Sequence, residues 1–213
     1  MDRIEKLCSY LDKCVTFADV GCDHGYCTRY MLKNGLCERA VISDISAKCL
    51  QKAEKLLAEC IKNGVVSSVC CNGLEGISED TEQVLIAGMG GEEMVNIFKN
   101  SFIPRSFVLQ PMKNIRAVRE YLLSNGAHIT TDEPFESCGK FYFVIKGKRD
   151  GVPTEYNGKQ LEFGLNLTGE ATKKYIKNEL TKKRAYLERD LKDGTRRKIE
   201  NDIRFMEGVI NEG

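Results

Sequence analysis

The chain has no tryptophan, only four prolines and two histidines, and no run of ~18 uncharged apolar residues of the kind that spans a bilayer as a helix. No membrane partner is therefore expected. After Met1-Asp2-Arg3 the sequence passes straight into an amphipathic helix with Ile4, Leu7, Cys8 and Leu11 on one side, without the apolar core of a secretory signal, so the expected site of action is cytoplasmic. Ten cysteines are scattered over expected strands and helices without a single Cys-x-x-Cys pair, which reads as reduced, small core residues rather than a disulfide framework. His24 and His128 fall in no ligand spacing with two cysteines, and no metal is expected. Neither sign of charge dominates: 32 Lys and Arg stand against 31 Asp and Glu. Residues 170–213 form the basic part, with 12 cationic against 9 acidic side chains, a surplus that supports nucleic-acid binding only weakly.

What the chain does have is length and apolar content for one α/β domain plus an appendage, 213 residues at 42% hydrophobic. Its most informative stretch is Asp19-Val20-Gly21-Cys22-Asp23-His24-Gly25-Tyr26, an apolar run, an acid and two glycines four apart. This reads as a strand turning tightly into a helix, where glycine permits positive φ and close ligand approach, and the helix start presents unpaired N–H groups. The spacing is Asp-x-Gly-x-Asp-x-Gly, and Asp23 stands where a dinucleotide enzyme favours glycine. One helix later, Ala40-Val41-Ile42-Ser43-Asp44 reads as a second buried strand ending in an acid ~20 residues past the glycines, the position from which a carboxylate accepts ribose hydroxyls. Asp44 alone reads better as an N-cap or turn residue before the helix starting near Ser46; its distance from the glycine turn is what favours ribose binding.

Further along, Leu50, Ala53, Leu57 and Ile61 predict one helix over 46–63, ended by Gly64. Strands are expected at 65–71, at Val84-Leu85-Ile86-Ala87 and at Phe107-Val108-Leu109, and helices at 92–100 and 115–124. Residues 127–132 and 141–146 read as an antiparallel pair split by a loop holding Pro134 and Gly139-Lys140. The expected fold is thus an open, mostly parallel sheet with helices on both faces and an antiparallel edge pair. Residues 1–150 form its domain, 151–169 a polar linker, and 170–213 two helices paired as a coiled-coil-like hairpin. In that hairpin Tyr175, Ile176, Leu180, Leu187 and Leu191 face Ile199, Ile203, Met206 and Ile210. Five polar or glycine-rich turns fall at the carboxyl ends of the strands, where ligands bind in such sheets: Gly21 to Gly25, Asp44, Asn72-Gly73-Leu74, Gly88 to Gly91 and Gln110-Pro111-Met112.

With these segments, together with Gly139-Lys140-Phe141-Tyr142, the chain resembles over essentially its whole length the bacterial tRNA adenine N1-methyltransferases acting at position 22, the TrmK family. The resemblance implies a Rossmann-like class I fold with S-adenosylmethionine along the sheet rim and tRNA as substrate. Asp19, Gly21 and Gly25 are implied at the methionine end, Asp44 with Ile45 at the ribose, and Asn72, Gly73 and Leu74 at the adenine edge. Gly88 is implied at the cofactor too. Met89, Gly90, Gly91, Gln110, Pro111 and Lys140 are implied on the substrate side. Three positions depart from the family pattern: Asn72 replaces an aspartate, Asp44 a glutamate, and Gly25 an alanine, the last a change expected to matter little.

Attack by adenine N1 makes the ring cationic and its amino group more acidic, so a carboxylate beside that amine stabilises the transition state. Asp23 is the candidate, with a helix-capping role as its plain alternative, and His24 is the candidate to orient it or touch the base. The Gly88 to Gly91 stretch lacks the Asn/Asp-Pro-Pro-aromatic sequence of many adenine-N6 methyltransferases. Two other functions stay open on the residues: a methyltransferase for a small molecule or protein, and a non-catalytic RNA-binding module with a degenerate fold. No feature of the chain demands an oligomer.

Overall fold

A computed structural model describes residues 2–149 and 151–211; Met1, Asp150 and the last two residues, which the expected segments include, lie outside the described residues. From the N-terminus run α1 (Arg3–Cys8), β1 (Thr16–Val20), α2 (Tyr26–Lys33), β2 (Arg39–Asp44), α3 (Ala47–Leu56), α4 (Ala58–Lys62) and β3 (Val66–Cys70). There follow β4 (Gln83–Ala87), α5 (Gly91–Lys99), β5 (Ser106–Gln110), α6 (Ile115–Ser124), β6 (His128–Ser137) and β7 (Lys140–Lys148). The chain closes with α7 (Gly158–Phe163), α8 (Glu170–Leu187) and α9 (Asp193–Asn211).

The seven strands lie in the order β3-β2-β1-β4-β5-β7-β6, the first five parallel and β7 antiparallel to both its neighbours. This is the expected mostly parallel sheet with an antiparallel edge pair. Its central strands are buried on both faces, which is why they read as continuous apolar runs. Leu85 and Val108 pack on one face with Leu7, Met31 and Leu50; Val84, Ile86 and Leu109 pack on the other with Met94, Phe98 and Val118. Alternation along each strand thus serves two cores rather than a core and solvent.

Four details differ from the sequence reading. The helix expected over 46–63 breaks at Leu57, whose φ of −107° and ψ of 15° separate α3 from α4. The edge pair is one long hairpin whose two-residue turn is Cys138-Gly139, both at positive φ. Pro134 lies within β6, which a proline tolerates because β6 is the outermost strand and needs no donor on its open side. Residues 151–169, read as a linker, contain α7, started by a reciprocal cap between Asn157 and Gln160.

A buried ion pair fastens this segment to the sheet. Arg119 on α6 binds Asp132 on β6 through Nε to Oδ2 (2.6 Å) and Nη2 to Oδ1 (2.8 Å), with both side chains essentially sealed from solvent. The remaining nitrogen, Nη1, donates to the carbonyls of Leu161 and Glu162 at the end of α7, and the Tyr156 hydroxyl donates to Asp132 Oδ2. The hairpin of α8 and α9 encloses its own core of Ile176, Leu180, Ile199, Ile203, Met206 and Val209, to which α7 adds Phe163. Tyr175, Leu187, Leu191 and Ile210 pack against that core as expected, Val209 is buried in it beside Ile210, and Tyr175 also reaches the sheet, its ring edge-on to Phe143 at 4.9 Å.

Candidate functional site

The turn after β1 is shaped by its glycines. Gly21 (φ +71°) and Gly25 (φ +70°) take left-handed conformations, and so does Asp23 (φ 43°), which pays backbone strain without the excuse of a missing side chain. A Cβ on Gly21 would stand 2.1 Å from Met89 Cε, so the end of the Met89 side chain, from the turn after β4, rests against the bare backbone of the turn after β1. Gly25 points the other way, into the packing of Ala53 and Leu57, each 3.1 Å from where its Cβ would be. The alanine expected to matter little at this position is therefore strained here in both backbone and contacts, at about 1–2 kcal/mol for the backbone alone.

At the carboxyl ends of the strands these turns surround a cavity of about 590 Å³, within the usual range for small-molecule sites. Asp19, Gly21, Asp23 and His24 line it from the first turn, Asp44 and Ile45 from the second. Asn72 and Gly73 line it after β3, and Gly88, Met89 and Gly90 after β4. The other expected residues lie outside its wall. Leu74 is buried in the core beside Ile97, and Gly91 abuts the carbonyls of Lys113 and Asn114. Gln110 and Pro111 are buried beneath the rim, and Lys140 is exposed at the tip of the β6–β7 hairpin. From the β5–β7 register that tip extends roughly 13 Å past the end of β5, at ~3.3 Å per residue.

Four acids line the cavity, Asp19, Asp23, Asp44 and Glu93, and the three aspartates shape its first two turns. Asp19 is buried, accepts from Thr28 Oγ1 (2.9 Å) and Thr28 N (3.3 Å), and has its pKa raised to about 6 by burial. In the range between its ordinary value and about 6 the folded protein holds a proton the unfolded chain has released. Ionisation therefore costs stability as pH rises through that range, a cost a cationic ligand would relieve. Asp44 accepts from Ser46 N through Oδ1 (2.8 Å) and from Asp23 N through Oδ2 (3.4 Å); the N-cap of α3 is Ser46 itself. Asp23 is half-exposed, its Oδ1 paired with Lys52 Nζ at 2.9 Å and its Oδ2 with His24 Nδ1 at 2.7 Å. The Lys52 hydrogen bond, followed by His24, holds its carboxyl below the usual range. His24 also stacks on Tyr26, ring centroids 5.4 Å apart and planes within 5°.

Several lining residues escaped the sequence reading. Arg3 enters from α1, outside every expected segment, while Tyr26 and Met112 line the cavity from segments that were expected at the rim but without a role of their own. Ser43, one residue before Asp44, has a buried hydroxyl with no partner among the described residues. A serine inside an otherwise apolar strand was a readable signal; Lys52, one of several lysines on α3, carried none. Ile45 (71% exposed) and Met112 (50%) leave apolar surface bare at the mouth of the cavity, as at sites that a ligand covers. A buried acid, an orphaned hydroxyl, an acid one residue on, and a bare apolar side chain form a donor set that fits S-adenosylmethionine, whose ammonium, ribose and adenine need those partners. Among the described residues no group of three metal-binding side chains occurs, and no helix is long and apolar enough to cross a membrane.

Known proteins share this architecture. The profile of a family described as a methyltransferase domain matches residues 1–145. A Mycoplasma pneumoniae protein, provisionally named a tRNA methyltransferase, is 34% identical over 142 residues, a stretch spanning 66% of this chain and 66% of that relative. The tRNA (adenine(22)-N(1))-methyltransferase of Bacillus subtilis is 25% identical over 168 residues, 76% of this chain and 71% of that one. The solved structure of M. capricolum TrmK in complex with S-adenosylhomocysteine superposes with a TM-score of 0.87 at 20% identity, covering 98% of this chain and 96% of that chain, a likeness that establishes the shared fold.

If Asp19 receives a cationic ligand group, binding weakens as that acid protonates. Affinity for S-adenosylhomocysteine, measured by calorimetry, is expected to be flat above pH 7 and about tenfold weaker at pH 5, following a group titrating near 6. A flat profile down to pH 5 would remove Asp19 from the ligand's ammonium.

Proposed function

We propose, from the premise that this chain belongs to the methyltransferase-domain family, that it transfers the methyl group of S-adenosylmethionine to N1 of adenosine at position 22 of tRNA. The observation that carries this reading is the meeting of two rim turns at Gly21 and Met89, which sets the acid Asp23 beside one continuous cavity reaching from Asn72 to Gly90. The Bacillus subtilis relative, named for this reaction, supports the choice of acceptor.

When bound, the cofactor supplies a methyl group on a sulfonium, with a neutral thioether as the leaving group. Transfer of that methyl group to adenine N1 would leave the thioether behind and would need no covalent link to the protein. The chain's own residues position and stabilise. Asp19 faces the ammonium of the methionine end, Asp44 and the Ser43 hydroxyl the ribose, and Ile45 with Asn72 the adenine. Gly88, Met89 and Gly90 floor the space in which the target base lies.

Asp23 accepts a hydrogen bond from the target's amino group as positive charge spreads into the ring. Held ionised by Lys52 and His24, it is a weak base, suited to stabilising charge rather than removing a proton. His24 keeps one carboxylate oxygen in place and, with Tyr26, offers an aromatic face at the mouth of the cavity.

An adenosine inside folded RNA must leave its stack to reach this depth, which takes a few kcal/mol that contacts elsewhere offset. On the helical hairpin, Lys182, Lys183 and Arg184 are already paired with Glu179, Asp202 and Glu207. The phosphate contacts therefore fall to the second cationic run, where Arg197 and Lys198 are exposed. Incubation with unmodified tRNA and methyl-labelled cofactor, followed by nucleoside digestion, is expected to put the label in 1-methyladenosine. Label in another nucleoside would sink the chemistry proposed for Asp23, and label only in protein or small molecules would sink the acceptor.

A further inference from the structure

The cavity is asymmetric along the rim. The ends of β1, β2 and β3 carry Asp19, Asp23, Asp44 and the apolar residue that suit a cofactor, whereas the ends of β4, β5 and β7 lie on the other side, toward the target, where Glu93 of α5 also lines the cavity. On that second side the strong cation is Arg3, which α1 carries across the sheet. Its Nη1 donates to Gln110 Oε1 at 2.9 Å, its guanidinium carbon lies 5.7 Å from the centroid of the Tyr142 ring, and Nη1 is 3.8 Å from where a Cβ on Gly88 would stand. Gln110 is sealed from solvent, and its amide nitrogen is fixed by the Pro111 carbonyl (3.1 Å) and Met112 Sδ (3.3 Å), which leaves its oxygen turned toward Arg3. A buried amide with no freedom to rotate thus sets where the guanidinium sits.

Arg3 is partly buried, yet among the described residues it has no carboxylate partner, and Gln110 Oε1 with the more distant Met112 Sδ (4.0 Å) engages two of its five donors, both on Nη1. A partly desolvated guanidinium without a counter-ion is an anion site awaiting its anion. We propose that Arg3 binds a phosphodiester oxygen of the target nucleotide, and that Gln110 is the positioning residue that aims it. This rests on the tRNA reading above. The other oxyanion the site receives is the carboxylate of the cofactor. The anchoring of Arg3 at β5 and β7, beyond β4 from the β1 turn, puts it on the RNA side.

The test compares wild type, Arg3→Met and Arg3→Lys in the full chain for tRNA affinity across a salt series, S-adenosylhomocysteine affinity by calorimetry, and Tm. Methionine retains an unbranched stem for packing and removes the charge. Arg3→Met is expected to weaken tRNA binding about tenfold at low salt and to reduce the slope of log K against log salt by about one, the signature of one lost phosphate contact. Affinity for S-adenosylhomocysteine stays within twofold. Arg3→Lys restores the slope and part of the affinity, and it supplies the result if the methionine variant does not fold. An unchanged slope with a lowered Tm would reduce Arg3 to a strut for α1, and loss of cofactor affinity with tRNA binding intact would assign it to the carboxylate. Either outcome, with wild-type tRNA binding still salt-dependent, overturns this inference alone. Absence of tRNA binding by the wild type would overturn the tRNA reading along with it.

Discussion

Replacing Asp23 by asparagine is expected to lower kcat for adenine methylation by about 100- to 1,000-fold, the range for losing one preorganised electrostatic stabiliser, while cofactor affinity stays within about threefold. Asparagine keeps the volume and one acceptor oxygen, so the turn and its bond to Asp44 survive. What it removes is the negative charge that develops its value only as the ring becomes cationic, and an interaction made in the transition state alone appears in kcat rather than in binding. Lys52 and His24 lose their partner in this variant, so Lys52→Met is the control: the carboxylate remains and its pKa returns toward the ordinary value, with a smaller loss expected. Single-turnover kinetics with calorimetric cofactor binding separates these terms. Since α2 is capped by Gly25 without a side-chain bond, normal turnover by Asp23→Asn would leave the residue only as the partner of Lys52 and His24, and a parallel collapse of cofactor affinity would make it a binding residue.

The second large effect concerns the fold. Arg119→Ala is expected to destabilise the protein by about 3–5 kcal/mol, because it leaves the sealed carboxylate of Asp132 without its bidentate partner. It also strips the donors from the last carbonyls of α7, which ties residues 156–163 to α6 and β6. Urea unfolding of Arg119→Ala, Asp132→Leu and the double variant Arg119→Met with Asp132→Leu measures this. The double variant is expected to recover most of the loss, since replacing both charges by apolar groups avoids the orphaned ion. Additive single losses, or a loss below about 1 kcal/mol for Arg119→Ala, would show that the pair does not fasten the two parts of the chain.

The parallel core was legible because strands covered on both faces leave apolar runs, and the turn after β1 because Gly21 and Gly25 hold conformations that few other residues adopt. The break at Leu57 was not, since helical spacing continues through it on the same face. The start of α7 was written in the Asn157 and Gln160 pair but hidden in a polar stretch. Arg119 was invisible among the charges of α6, between Arg116 and Glu120, because helical periodicity says which face a residue occupies and not that a distant Asp132 awaits it there. In the cavity, backbone-shaped turns announced themselves by composition. Arg3 and Lys52 did not, because their place depends on long side chains crossing from helices whose docking no local pattern encodes.

The most direct test of the account is primer extension on an unmodified tRNA transcript after incubation with the protein and S-adenosylmethionine, beside the same transcript with guanosine substituted at position 22. A methyl group on N1 blocks Watson–Crick pairing and halts the polymerase. A cofactor-dependent stop at position 22 that the substituted transcript lacks is expected; a stop at another adenosine, or full-length product from a protein that binds its cofactor, would contradict methylation of that base.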